Sequence, residues 1–119
     1  MHEMGITQGI LDASFLAAQK AGATRITEIC VSIGELTEVV DFALQFAFEA
    51  LTPDTMAEGA VLTITMVSAK SRCRDCELEF EHDRFEMLCP SCGSLNVEPL
   101  QGREMQIDSI EADNESTEE

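Results

Sequence analysis

The sequence predicts an α+β fold: two helices on one face of a small three-stranded mixed sheet, with a zinc-ribbon-like four-cysteine segment inserted between two strands. Three observations carry this expectation. Two stretches are apolar at helical spacing, and one of them is rich in alanine. Three short stretches alternate apolar and polar residues. Cys73-Arg-Asp-Cys76 is followed, twelve residues later, by Cys89-Pro-Ser-Cys92.

Residues 6–21 predict the first helix. Ile6, Ile10, Ala13, Ala17 and Ala21 form one stripe, widened by Leu11, Phe15 and Ala18, and Gly22 follows as the residue able to take the left-handed conformation that ends a helix. No strong cap stands immediately before Ile6, so the first residues read as a free extended end. Residues 26–33 predict a strand, with Ile29, Val31 and Ile33 on one face and Glu28, Cys30 and Ser32 on the other. Thr37 is the expected N-cap of a second helix, with Glu38 in its first turn and Pro53 at its end. That helix is apolar over most of its circumference. Residues 60–67 predict a second strand, and Met105 and Ile107 mark a third after Gly102.

The expected organisation is therefore an α+β domain made of residues 1–68 and 102–111, a zinc-binding insert at 69–101, and a disordered acidic tail at 112–119. A chain of 119 residues has room for one such domain and its insert. No apolar run approaches the roughly 20 residues of a membrane span, and the start lacks the basic and apolar regions of a secretory signal. Five cysteines, four of them in close pairs, suit a reducing compartment, so a cytoplasmic protein is expected. The net charge is −16, with residues 1–68 and 104–119 contributing −7 each and residues 69–103 only −2. Such a field repels nucleic acid and attracts cations and basic protein surfaces. No Ser/His/Asp set, phosphate loop or open metal position beside a base is visible, so an enzyme is not expected.

Each CxxC pair can aim two thiolates at one ion, and two pairs make a tetrahedral four-sulfur cage from Cys73, Cys76, Cys89 and Cys92. Structural zinc is the leading reading, with a rubredoxin-like iron centre and a disulfide pair as competitors. Residues 77–88 are too polar to form a core alone, so the ion must contribute much of the local folding free energy, on the order of 10 kcal/mol. The second place of chemical interest is the chain's beginning. A histidine at position two sits beside a free α-amine, and the amine, the His2 amide nitrogen and the imidazole can close two small chelate rings. Ni(II) and Cu(II) are the ions that favour a deprotonated amide, and Glu3 can add an oxygen or hold the ring. Position two is too large for methionine aminopeptidase to release Met1, so the amine is expected to be that of Met1. From the residues alone, a solvated terminal histidine is the simpler reading.

Met1-His2-Glu3-Met4 before a helix, Ser32-Ile33-Gly34-Glu35-Leu36, Ala57-Glu58-Gly59 and the two CxxC pairs together resemble the HypA/HybF family of hydrogenase maturation factors, over residues 1 to about 111. The resemblance implies a nickel metallochaperone. It implies structural Zn(II) at Cys73, Cys76, Cys89 and Cys92, and transported Ni(II) at His2 with Glu3 beside it. It also implies delivery, with the GTPase HypB, to the large subunit of [NiFe]-hydrogenase, and in some relatives service to urease. Gly5 stands where many relatives have Ser or Ala. No histidine flanks either CxxC pair, so nothing here matches the histidine that some relatives carry at the zinc site.

Other residues have simpler expectations. Cys30 reads as a packed free thiol and His82 as a surface residue. Phe42, Phe46 and Phe48 read first as core, although Phe48 cannot share a face with both others, which leaves part of that helix for a partner or a second copy. The alternative to a metallochaperone is a zinc-ribbon adaptor that acts only through protein contacts. Monomer and dimer are both compatible with the sequence.

Overall fold

A computed structural model describes residues 2–83 and 85–114; for His2 it describes the backbone only. The elements are α1 (His2–Lys20), β1 (Arg25–Gly34), a 3-10 turn (Glu35–Thr37), α2 (Asp41–Leu51), β2 (Val61–Val67), β3 (Ala69–Cys73), β4 (Glu79–His82), β5 (Val97–Gln101) and β6 (Met105–Asp113). They form two compact units. The first comprises Met1–Val31, Val39–Thr65 and Ile107–Glu119, and the second Ser32–Glu38 and Met66–Gln106. No helix among the described residues is long and apolar enough to cross a membrane.

The first unit has the two predicted helices and the three-stranded sheet, in the order β2-β1-β6. β1 and β6 run antiparallel: the Thr24 N–H donates to the Asp113 carbonyl at 2.9 Å and the Thr27 hydroxyl to that of Glu111 at 3.1 Å. As predicted, Ile29, Val31 and Ile33 are buried while Cys30 and Ser32 are only half-buried. Ile26 is buried as well, three residues before Ile29, so the strand changes phase at Thr27 and Glu28. Leu11, Ile26, Ile29 and Leu44 are fully buried. Each contributes roughly 1.5–3 kcal/mol of transfer free energy.

Both helices depart from expectation. α1 does not start at residue 6 after an extended end but at His2. Its first turn is held by the Thr7 hydroxyl, which donates to the Glu3 carbonyl at 2.6 Å. Ala13 and Ala17 of the predicted stripe are exposed; Ile10, Leu11 and Ala18 are buried as predicted, and Thr7 and Ser14 join them on the buried face. The Thr7 hydroxyl occupies this face by bonding back to its own backbone, whereas Ser14 is carried there by its neighbours, so apolar periodicity alone missed both hydroxyl positions. The helix ends as predicted at Gly22, φ 79°, with the Ala23 N–H reaching the Ala18 carbonyl at 2.9 Å.

α2 does not start after Thr37. The Thr37 hydroxyl donates back to the Gly34 carbonyl at 2.7 Å, Glu38 turns left-handed at φ 64°, and the helix begins at Asp41 with Val40 as an N-cap that supplies no side-chain oxygen. Leu44, Ala47 and Phe48 are buried, but Phe42 and Phe46 are 78% and 66% exposed, so they are not core.

The second unit holds a three-stranded antiparallel sheet, β4-β3-β5, in the segment where no strand is predicted. These strands are short and rich in charge, and only the inward residues Ala69, Ser71, Cys73 and Phe80 are buried. Residues 32–38 and 102–106 group with this unit through a close approach of two glycines. A Cβ at Gly34 would lie 2.1 Å from the Gly102 carbonyl carbon and oxygen. The Leu36 N–H donates to that same oxygen at 2.7 Å. β6 extends to Asp113, so Ala112 and Asp113 of the expected disordered tail are strand, and residues 115–119 of it lie outside the described residues.

Candidate metal centre

The four predicted cysteines converge. Cys73 closes β3 and Cys76 follows in the turn after it, while Cys89 and Cys92 come from the turn before β5. Their sulfurs all lie within 4.8 Å of one another, with Cys73–Cys92 and Cys76–Cys89 both at 3.6 Å. A tetrahedral ion bound at about 2.3 Å requires sulfur–sulfur edges of about 3.8 Å. The cluster fits zinc on this ground. A disulfide would need about 2.05 Å, and all five cysteines are free thiols, so the disulfide reading is set aside.

Both halves are built alike. The Cys73 N–H donates to the Leu78 carbonyl and the Glu77 N–H to that of Cys73, at 2.9 and 2.8 Å; the Cys89 N–H donates to Ser94 and the Gly93 N–H to Cys89, at 3.1 and 2.9 Å. The residue after each second cysteine is left-handed: Glu77 at φ 67° and Gly93 at φ 74°. Backbone N–H groups turn toward the sulfurs, Cys76 to Cys73 Sγ at 3.5 Å and Ser91 to Cys89 Sγ at 3.4 Å. Cys73 and Cys89 are buried against Phe80 and Val97, whereas Cys76 and Cys92 face water.

Without a cation Cys76, Cys89 and Cys92 do not ionise alike. The Cys92 backbone N–H, then that of Ser91 and the Cys76 thiol, hold the Cys89 thiol down at about 7. The Ser94 N–H draws Cys92 down, but Cys73, burial and the other two sulfurs outweigh it and push that thiol up to about 12. The Leu78 N–H acts likewise on Cys76, yet Cys89, burial and Cys73 raise it. A bound cation favours the thiolate form of Cys76 and Cys92, the two that are raised.

A polar brace across the two halves was not legible in the sequence. The Asp75 carboxylate accepts from the Ser94 hydroxyl at 2.6 Å and from the Asn96 amide at 3.3 Å, while the Arg74 N–H donates to the Asn96 carbonyl at 2.9 Å. Nothing in a CxxC spacing announces these partners, which lie about 20 residues apart. His82 is more than a surface residue. Its Nδ1 lies 2.7 Å from the Asp83 carbonyl, which makes Nδ1–H the donor there, and its Nε2 shares a 2.7 Å hydrogen bond with the Ser71 hydroxyl. Ser71 is fully buried, and this bond satisfies it.

Of the second predicted set, Met1 lies outside the described residues, as does the His2 side chain. The His2 backbone opens α1, and the Glu3 carboxylate accepts from the Val40 N–H at 3.4 Å, next to the first turn of α2. Cys30 stays apart from the cluster and half-buried.

Residues 1–112 match the family model described as hydrogenase/urease nickel incorporation, metallochaperone, hypA. The chain is 42% identical over 113 residues to the hydrogenase maturation factor HypA of Geotalea uraniireducens, covering 95% of this chain and all of that one. It is 38% identical over 111 residues to the HypA of Aquifex aeolicus, covering 93% and 96%. The fold is similar to the solution structure of the Ni metallochaperone HypA from Helicobacter pylori, with a TM-score of 0.68, 28% identity, and 96% and 99% of the two chains covered.

Proposed function

The chain belongs to the HypA family of nickel-incorporation metallochaperones, and from that premise we propose that it carries Ni(II) at its beginning while zinc serves only architecture. Nickel is held by the Met1 amine, the His2 amide nitrogen and imidazole, and Glu3. Cys73, Cys76, Cys89 and Cys92 hold the structural ion. The observation that carries this division is the contrast in donors. Four sulfurs fit a closed tetrahedron in one unit. The nitrogen-rich start of the other has the chemistry of a square-planar ion. A terminal site with few rigid donors releases its ion when imidazole and amide are protonated, which suits a carrier.

Delivery goes to the large subunit of [NiFe]-hydrogenase with the GTPase HypB as co-partner, in the cytoplasm, and the chain itself catalyses no reaction. The two ions belong to different units of the chain, nickel to the one that holds α1 and zinc to the one that holds the four cysteines. Metal analysis with nickel titration of untagged protein tests the reading. Wild type is expected to hold one zinc and take up one nickel. His2→Ala, and a variant extended by a few residues before Met1, are expected to keep the zinc and lose the nickel. Equal nickel uptake by all three proteins refutes it.

A further inference from the structure

We propose that the exposed stripe Phe42–Phe46 on α2 is a docking surface for a protein partner that offers an apolar recess rimmed by lysine or arginine. The two rings are one helical turn apart and so stand on one face. They are 78% and 66% exposed, while Leu44, Ala47 and Phe48 fix the opposite face of the same helix in the core. Val40, half exposed, precedes them. Gln45, between them in sequence, donates to the Leu62 carbonyl at 2.7 Å, so the stripe borders β2, where Val61 is also more than half exposed. A rigid helix thus presents two phenylalanine rings to water, and aromatic side chains of this kind are enriched in the cores of protein interfaces.

Charge selects the occupant. Within the first unit, residues 39–65 hold four carboxylates and no lysine or arginine, and two of them, Asp41 and Glu49, flank the stripe on α2 itself. A second copy would bring the same carboxylates against themselves. Nucleic acid and an anionic membrane are repelled for the same reason. A basic rim around an apolar recess satisfies both the rings and the charges.

The Glu3 carboxylate bonds the Val40 N–H, so the stripe starts next to the first turn of α1. A partner seated there faces the metal-carrying end. Its role as nickel donor or acceptor rests on the function proposed above, whereas docking itself does not.

Phe42→Ser/Phe46→Ser, Asp41→Lys, and Leu16→Ser as an exposed α1 control are prepared in the full zinc-loaded chain. Purified HypB and purified hydrogenase large subunit are titrated into each by calorimetry, with nickel uptake, zinc content and circular dichroism measured in parallel. At least one of the two proteins is expected to bind wild type. The double variant is expected to weaken that binding roughly 30-fold or more. Asp41→Lys and added salt weaken it further, Leu16→Ser leaves it unchanged, and all variants keep zinc and fold. Unchanged binding by the double variant overturns the proposal, as does failure of both proteins to bind wild type. Self-association of wild type that the double variant abolishes also overturns it. Loss of docking in chains that never take up nickel would leave the docking surface standing and remove only the nickel reading.

Discussion

Glu77 occupies a backbone conformation that its counterpart fills with glycine, and exchanging it tests the two-halves description of the metal centre. Glu77 and Gly93 follow the second cysteine of their pairs at φ 67° and 74°. A side chain at such a position costs about 1–2 kcal/mol. Glycine gains this back but loses roughly 0.5–1 kcal/mol through the greater freedom of the unfolded chain. The Arg72–Glu77 pair, 3.9 Å apart and well exposed, contributes at most a few tenths of a kcal/mol. Glu77→Gly is therefore expected to stabilise the zinc-loaded second unit by about 0.5–1 kcal/mol. Because folding there is linked to the ion, competition with a chromophoric chelator should read this as a zinc affinity raised about two- to fivefold. Glu77→Gln removes the charge and keeps the left-handed residue, so it should show little gain. Gly93→Ala should lose about 1 kcal/mol for a purely conformational reason, since a Cβ there meets nothing within 4 Å. Equal affinities for Glu77→Gly and wild type, or a gain in Glu77→Gln as large as in Glu77→Gly, would refute the conformational argument.

Ser14 is 1% exposed and its hydroxyl has no partner, so Ser14→Ala should raise stability by about 1 kcal/mol, read as a higher urea midpoint at fixed zinc. Gly34→Ala would drive a Cβ into backbone rather than a yielding side chain, and should cost about 3 kcal/mol or more, seen as lost thermal stability or insoluble protein. Zinc binding near pH 7 should release at least the two protons of Cys76 and Cys92, whose thiols are raised, and the pH-stat signal should shrink when either is replaced by serine. The Ser94 hydroxyl, and after it the Asn96 amide, lower the Asp75 carboxyl below its ordinary 3.8. Its folded value lies under its unfolded one, so its contribution is complete above about pH 4 and fades as pH falls through the folded value. Asp75→Asn should accordingly narrow the stability difference between pH 6 and pH 3, measured by denaturation at each pH.

What the sequence by itself determined was local. The two CxxC pairs, the helix-ending Gly22, the alternation of Ile29, Val31 and Ile33 and the three strands of the first unit's sheet, though not β3, β4 and β5, follow from spacing and backbone preference, which neighbouring residues set. The four-sulfur cage was legible for the same reason: one ion imposes its tetrahedron on ligands three positions apart in each pair. Tertiary structure decided whatever depends on distant partners. α1 buries Thr7 and Ser14 in place of Ala13 and Ala17, because its face is chosen by what packs on it. α2 starts only at Asp41, because Thr37 spends its hydroxyl on the Gly34 carbonyl. β3, β4 and β5 form from charged residues because cross-strand pairing and the sulfur cluster supply what apolar content does not. Phe42 and Phe46 face water for a like reason: an apolar circumference says that a helix has much to bury, and only the arrangement of its neighbours says which side is covered.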